Sequence, residues 1–293
     1  MKILNFGSLN VDYVYRLDHL VRPGETLQSG SYTQGCGGKG LNQSVALALA
    51  GAPVYHAGLL GRGAEFLRTK LSDCGVDCSY LRRADLPAGH AIIQVDNAGQ
   101  NAIVLFPGSN HALTPELIGR VLDHFGPGDV LLLQNETNLV PELIAQGTRR
   151  GMDVAFNAAP MGPEVLSYPL EQVRWLFVNE TEGAALTGLS DPEAIADALC
   201  SKYPKLAVIL TLGELGSVYQ TGSLRLSFPA RQVRAADTTA AGDTFTGYFL
   251  AALADGADPA YAMSLATAAS ALCVTRPGAA DAIPTLEEVV RFL

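Results

Sequence analysis

Runs of basic residues are missing from this chain. Its 293 residues carry 20 Lys and Arg against 29 Asp and Glu, a formal net charge of −9, and no cluster of Lys and Arg relieves it, which excludes a surface built for nucleic acid or an anionic membrane. Long apolar runs are missing too: the longest, Ala262 to Val274, is too short and too rich in Ala, Ser and Thr to span a bilayer. The five cysteines (Cys36, Cys74, Cys78, Cys200 and Cys273) include no CxxC pair and no His/Cys ligand spacing. No zinc site is expected, and the thiols read as reduced and mostly buried in a cytoplasmic protein. The opening Met-Lys-Ile-Leu-Asn-Phe-Gly breaks after a few apolar residues, as a first strand does and a signal peptide does not. Repeats, low-complexity tracts and charged linkers are also absent. An anionic ligand therefore needs local help, from a helix end, a few basic residues or a metal ion.

What is present is a core-forming composition, 48% hydrophobic and 17% charged, enough for one large α/β domain. Strand-like runs at Ile3–Phe6, Val54–Gly58, Val130–Gln134, Val154–Asn157, Leu176–Val178 and Leu206–Leu212 alternate with helical patterns at 44–50, 64–74, 115–125, 141–150, 259–273 and 286–293. Thr114-Pro115, Asp191-Pro192 and Asp258-Pro259 each place proline at a first helical position behind a cap. The expected fold is α/β, a three-layer doubly wound, mostly parallel sheet of Rossmann-like type with helices on both faces. Two runs around Asn97-Ala-Gly-Gln100, Ala91–Asp96 and Asn101–Leu105, read instead as a hairpin. A hairpin does not fit parallel alternation, so it is assigned to a small β-sheet lid formed by inserted segments at about 13–35 and 88–108, with Val14–Tyr32 as its partner.

The stretch Asp237-Thr-Thr-Ala-Ala-Gly-Asp-Thr-Phe245 sets small residues directly before a long apolar helix and plants a carboxylate, Asp243, at the junction. Ala240, Ala241 and Gly242 then fall where free N–H groups and the positive end of the helix dipole converge, an anion site. Plain capping explains the same residues when the stretch is taken alone. Asn10 and Asp12, two apart after the first strand, face one side of an extended chain and suit adjacent hydroxyls of a polyol. Gly35-Cys-Gly-Gly-Lys-Gly-Leu-Asn-Gln43 contains a GxGxxG match. It lacks both the preceding long strand and the acid about 20 residues on that a dinucleotide site requires. It reads as a glycine turn that brings Lys39 and Asn42 to a small polar ligand. Gln134-Asn-Glu136 and Asn179-Glu-Thr-Glu182 each present carboxylates after a strand, the second also fitting a capping box. Thr211-Leu-Gly-Glu-Leu-Gly216 is a glycine-bearing loop after another strand.

Gly37-Gly-Lys-Gly-Leu-Asn42, Asn179-Glu-Thr-Glu182 and Asp237-Thr-Thr-Ala-Ala-Gly-Asp243 together resemble the ribokinase-like (PfkB) carbohydrate kinases. Gly7-Ser-Leu-Asn-Val-Asp12, Asn157-Ala-Ala-Pro160 and Thr211-Leu-Gly213 fit in order, so the resemblance spans nearly the whole chain. It implies one domain over 1–293 and an ATP-dependent transfer of phosphoryl to a free pentose, with ribose first. Asp243 would be the base and Ala240, Ala241 and Gly242 the anion hole. Asn10, Asp12, Gly38, Lys39, Asn42 and Glu136 would hold the sugar. Asn179 and Glu182 would organise Mg²⁺ around the ATP phosphates, and Thr211, Gly213 and Gly216 would border the nucleotide. A monovalent cation, K⁺, would sit among Asp237, Thr239, Cys273, Arg276 and Gly278. A homodimer formed through the lid is also implied. The sequence departs from the family where Arg62 replaces the usual Asp after Gly61, where Thr267 replaces a His near the adenine, and where Ala282 replaces a cation-ligand Ser.

Competing readings stay in view. The segment Pro87 to His111 holds no Lys or Arg, leaving a phosphorylated sugar without a partner there. A nucleoside, deoxyribose or fructose is the runner-up, with His90, Ile92 and Phe106 lining a base pocket in the nucleoside case. A non-catalytic sensor is disfavoured by the joint presence of Asp243, Asn179 and Glu182. A dinucleotide oxidoreductase rests on the GxGxxG match alone.

Overall fold

The computed structural model describes residues 1–293. In chain order the strands are β1 (Ile3–Phe6), β2 (Asn10–Arg16), β3 (Ser31–Gly37), β4 (Val54–Arg62), β5 (Asp77–Pro87), β6 (Gly89–Val95) and β7 (Asn101–Phe106). They continue with β8 (Val130–Gln134), β9 (Asp153–Asn157), β10 (Trp175–Asn179), β11 (Ala207–Thr211), β12 (Ser217–Gln220) and β13 (Arg225–Phe228). The helices are α1 (Lys39–Leu49), α2 (Glu65–Asp73), α3 (Pro115–Leu122), α4 (Val140–Arg149), α5 (Glu180–Thr187), α6 (Pro192–Lys202), α7 (Ala241–Ala254), α8 (Pro259–Cys273) and α9 (Leu286–Phe292).

Nine strands form the main sheet in the order β13-β12-β11-β10-β9-β8-β1-β4-β5. From β5 to β11 all neighbours are parallel, and β12 and β13 close one edge as an antiparallel hairpin. Alternation along the central strands divides the interior in two. Val130 and Leu132 enter a core with residues of α1, α7 and α8, while Leu131 and Leu133 enter a second core with residues of α3, α4 and α6. Period-two residues buried on both faces require a helical layer on each side, which is the three-layer architecture expected. The order in which strands are added to the sheet reverses at β1, with β4 and β5 on one side and β8 to β13 on the other. Open α/β sheets hold ligands at such a point, outside the carboxyl ends of the strands.

The second sheet has the order β3-β2-β6-β7. The hairpin at Asn97–Gln100 is present as β6–β7, and its partner is two strands, Asn10–Arg16 and Ser31–Gly37, rather than a continuous Val14–Tyr32 segment. β2 pairs antiparallel with β3 and parallel with β6.

Two further expectations are corrected. Helix α1 begins at Lys39, not Ser44, because Gly40 lets the helix start press against the end of β1: a Cβ there would lie 2.2 Å from the Ser8 amide nitrogen. Strand β5 was missed. Its sequence, Asp-Cys-Ser-Tyr-Leu-Arg-Arg-Ala-Asp-Leu-Pro, is polar because it is the sheet edge, where charged residues discourage further pairing.

Candidate active site

A cleft of about 680 Å³ runs between the carboxyl ends of the main strands and the small sheet. Its lining includes Asn10, Asp12, Gly38, Lys39, Asn42 and Glu136 from one group of expected residues. Asn179, Glu182, Thr211 and Gly213 join them from a second, and Thr239, Ala240, Ala241, Gly242 and Asp243 from a third. Residues more than 200 positions apart therefore share one space. Asp243, 6% exposed, receives Asn42 Nδ2 on Oδ2 at 3.0 Å and Gln43 Nε2 on Oδ1 at 2.8 Å. Asn42 is itself buried, and its Oδ1 has no protein partner. A buried acceptor left open in a cleft awaits a donor such as a hydroxyl.

At the start of α7, Ala240 caps the helix in the left-handed region, φ 61°. That residue is strained, since a Cβ clashes there. Expectation placed the amides of Ala240, Ala241 and Gly242 in the anion hole. One correction follows: Ala241 N–H donates to the Thr238 carbonyl at 3.3 Å. The amides without a protein partner are those of Ala240, Gly242 and Asp243, still convergent on the same helix end.

The sugar-side residues are held by neighbours the motifs did not single out. Asn110, buried under the small sheet, donates Nδ2 to Asn10 Oδ1 at 2.8 Å while its own Oδ1 accepts the Leu9 amide. That fixes the Asn10 oxygen inward and leaves its amide nitrogen for the cleft. Glu136 Oε2 accepts from Ser8 Oγ and from Lys39 N–H, leaving Oε1 open. Burial, reinforced by the charge of Glu136, pushes the Asp12 carboxyl up to about 7. Burial also raises Glu136, against the pull of Lys39. Lys39 stays above the usual lysine range: burial alone would lower it, but Asp243, Glu136 and Glu182 together outweigh that.

Asn179 and Glu182 form the capping box of α5, with Glu182 N–H donating to Asn179 Oδ1 at 2.8 Å and Asn179 N–H to Glu182 Oε2 at 2.9 Å. Structural and functional readings coexist here, because the box uses one oxygen of Glu182 and the residue still lines the cleft. Burial raises its carboxyl. The lining contains five carboxylates (Asp12, Glu136, Glu180, Glu182 and Asp243) and one basic residue, Lys39. A polyphosphate enters such a space only with a divalent cation that neutralises it, and Asn179 and Glu182 carry the oxygen donors that Mg²⁺ or its waters prefer.

Gly216 is not in the cleft lining. Its φ of 112° and the 2.0 Å that would separate a Cβ from the Phe228 carbonyl mark a tight backbone turn beside β13. Asp237, Cys273, Arg276 and Gly278 also lie off the cleft, behind the 238–241 turn. Asp237 joins the two segments by accepting Thr239 N–H, Thr239 Oγ1 and Gly278 N–H. Burial would raise that carboxyl, but these hydrogen bonds hold it below the usual range. The Arg276 side chain turns away to Glu288. No group of three His, Cys, Asp or Glu residues that could hold a metal is present.

The base-pocket residues are corrected as well. Ala91, Ile93, Ile103 and Leu105 line the cleft. Strand alternation turns His90, Ile92 and Phe106 to the opposite face, where His90 packs on Tyr13 and Phe106. The GxGxxG segment likewise begins inside β3 of the small sheet, not after a parallel central strand, which removes the dinucleotide reading.

Fold and cleft together define an α/β enzyme in which an anion-receptive helix end and a buried carboxylate face one space lined by amide and carboxylate side chains. The chain belongs to the pfkB family of carbohydrate kinases, whose pattern matches residues 1–286, and is a phosphotransferase with a sugar acceptor. It is 35% identical over 300 residues to the ribokinase of Haemophilus influenzae, covering 98% of this chain and 96% of that protein. It is 31% identical to the deoxyribokinase of Salmonella typhi, covering 100% and 99%. Among solved structures, Arabidopsis thaliana ribokinase complexed with ribose and ATP superposes with a TM-score of 0.87 at 28% identity, covering 99% of this chain and 97% of that one.

Proposed function

We propose that the protein transfers the γ-phosphoryl group of ATP to a hydroxyl of a free pentose, ribose first. The observation that carries this is the pairing of Asp243 with Asn42, whose open oxygen and neighbouring Asn10, Asp12 and Glu136 offer a polyol several hydrogen-bonding groups beside a carboxylate. Asp243 takes the hydroxyl proton as the oxygen attacks phosphorus and the bond to ADP breaks. The free amides at the start of α7 stabilise charge on the transferred group. Mg²⁺, when bound through Asn179 and Glu182, supplies charge neutralisation for the ATP phosphates. Thr211 and Gly213 border the nucleotide. K⁺ would be held by Asp237, Thr239, Cys273, Arg276 and Gly278, behind the turn that carries those amides. Two copies pair through β7, whose six residues are all exposed although five are apolar.

Lys39 is the single basic residue in the lining, against five carboxylates, which supports an unphosphorylated acceptor. Likeness to both ribokinases and a deoxyribokinase makes the 2-hydroxyl the point to test. ADP release is measured with ribose, deoxyribose, fructose and adenosine. Ribose is expected to give the highest kcat/KM, and absence of turnover with ribose overturns the assignment.

A further inference from the structure

A file of buried polar side chains runs from Asp243 into the core. Gln43 Nε2 donates to Asp243 Oδ1 at 2.8 Å. Gln134 Nε2 donates to Gln43 Oε1 at 2.7 Å and to Asn5 Oδ1 at 3.0 Å. Asn5 Nδ2 donates to Ser44 Oγ and to the Gly40 carbonyl, each at 2.8 Å. Ser44 Oγ meets His56 Nδ1 at 2.8 Å. Asn5, Gln43, Ser44 and His56 are wholly buried and Gln134 is 1% exposed. None of the five lines the cleft. Polar groups so deep cost folding energy unless they are paired, and a chain of amides has no packing advantage over leucine.

The donor and acceptor roles along the file follow from one charge. An ionised carboxylate only accepts, so Gln43 must turn its nitrogen to Asp243 and its oxygen to Gln134. Gln134 must then offer nitrogen, Asn5 must offer oxygen to Gln134 and nitrogen to Ser44, and the Ser44 hydroxyl in turn pairs with His56 Nδ1. Burial holds the His56 imidazole down at about 4, so at neutral pH it carries one ring proton, and with that proton on Nε2 its Nδ1 accepts.

We propose that Gln43 and Gln134 are positioning residues for the base. Gln43 holds the Asp243 carboxylate aimed, and Gln134, anchored by Asn5, keeps the Gln43 amide from turning over. The proposal rests on Asp243 being the base. It makes the effect of both residues fall on kcat, because neither lines the cleft. Other charged groups facing Asp243 are Lys39 of α1, Glu136 after β8, Glu182 of α5 and the Cys273 thiol at the end of α8.

The test uses the full chain, with ribose and ATP, in Gln43→Met, Gln134→Met, the double variant and Gln43→Glu, alongside Asp243→Ala. Gln43→Met is expected to lower kcat about 10- to 100-fold with the ribose KM within about twofold. Gln134→Met is expected to lower kcat less, and the double variant no further than Gln43→Met alone, since one residue acts through the other. Gln43→Glu preserves shape while setting a second carboxylate against Asp243, so the pair shares a proton and the acid limb of kcat moves to higher pH by about one unit or more. Losses that multiply in the double variant, or a wild-type kcat and an unmoved limb in the Gln43 variants while Asp243→Ala is inactive, overturn the proposal. Wild-type turnover in Asp243→Ala overturns instead the base assignment beneath it.

Discussion

Asp12 is governed by where it stands. Burial and Glu136 lift its carboxyl to about 7, so between its unfolded value near 4 and about 7 the folded protein binds a proton that the unfolded chain has lost. Its contribution to stability therefore falls as pH rises across that window, by at most about 1.4 kcal/mol per pH unit, and is flat above it. Urea unfolding of Asp12→Asn is expected to lack this slope and to exceed wild type at about pH 8. The ionised form is the better acceptor for a hydroxyl, so ribose KM is expected to fall as pH rises through about 7 in wild type and not in Asp12→Asn. Asn10, Asp12, Lys39 and Asn42 were legible because strand ends and glycine turns announce themselves in short windows. Asn110 and Gln43 were not: what marks them is a partner about a hundred or two hundred residues away, and nothing in their own neighbourhoods shows it.

The entry to α7 is the element on which the chemistry turns, and its glycine and alanine have opposite requirements. A Cβ on Gly242 would meet nothing within 4 Å, yet the residue lies in the first turn beside the free amides. Gly242→Ala is expected to raise stability by about 0.5–1 kcal/mol in denaturant melts, as a helical glycine replaced by alanine does. Its methyl enters the space of the transferred group, so kcat falls in the same protein. Ala240 shows the reverse: at φ 61° it carries left-handed strain, and Ala240→Gly is expected to leave stability unchanged or higher by up to about 1 kcal/mol, while Ala240→Val unfolds at lower urea. This helix and the small-residue turn before it were readable from an apolar run at helical spacing, whereas plain capping explained Asp243 equally well until the other motifs were set beside it. The sequence misplaced the start of α1 and overlooked β5, since a helix that begins with glycine against a neighbouring strand and an edge strand rich in charge both depart from the local patterns that normally mark such elements.

At the scale of the molecule, the parallel sheet with helices on both faces and a ligand site at its strand ends were readable from alternating strand and helix patterns. The pairing of β2 with β6, which closes the small sheet over the cleft, was not, because it joins segments about 80 residues apart in parallel. The apolar edge strand β7 is the face proposed for dimerisation, and Val104, 64% exposed, lies on the side away from the cleft. Sedimentation equilibrium is expected to find wild type dimeric and Val104→Lys shifted to monomer; a monomeric wild type removes the dimer. The central claim is that one cleft joins a base to a phosphoryl-transfer site, and ADP release with ribose by wild type and Asp243→Ala tests it most directly. The account predicts ribose-dependent turnover that falls about 10²- to 10⁴-fold in the variant, which still folds but unfolds at a lower temperature because Asn42 and Gln43 lose their buried acceptor. Equal ribose-dependent turnover in the two proteins would contradict it.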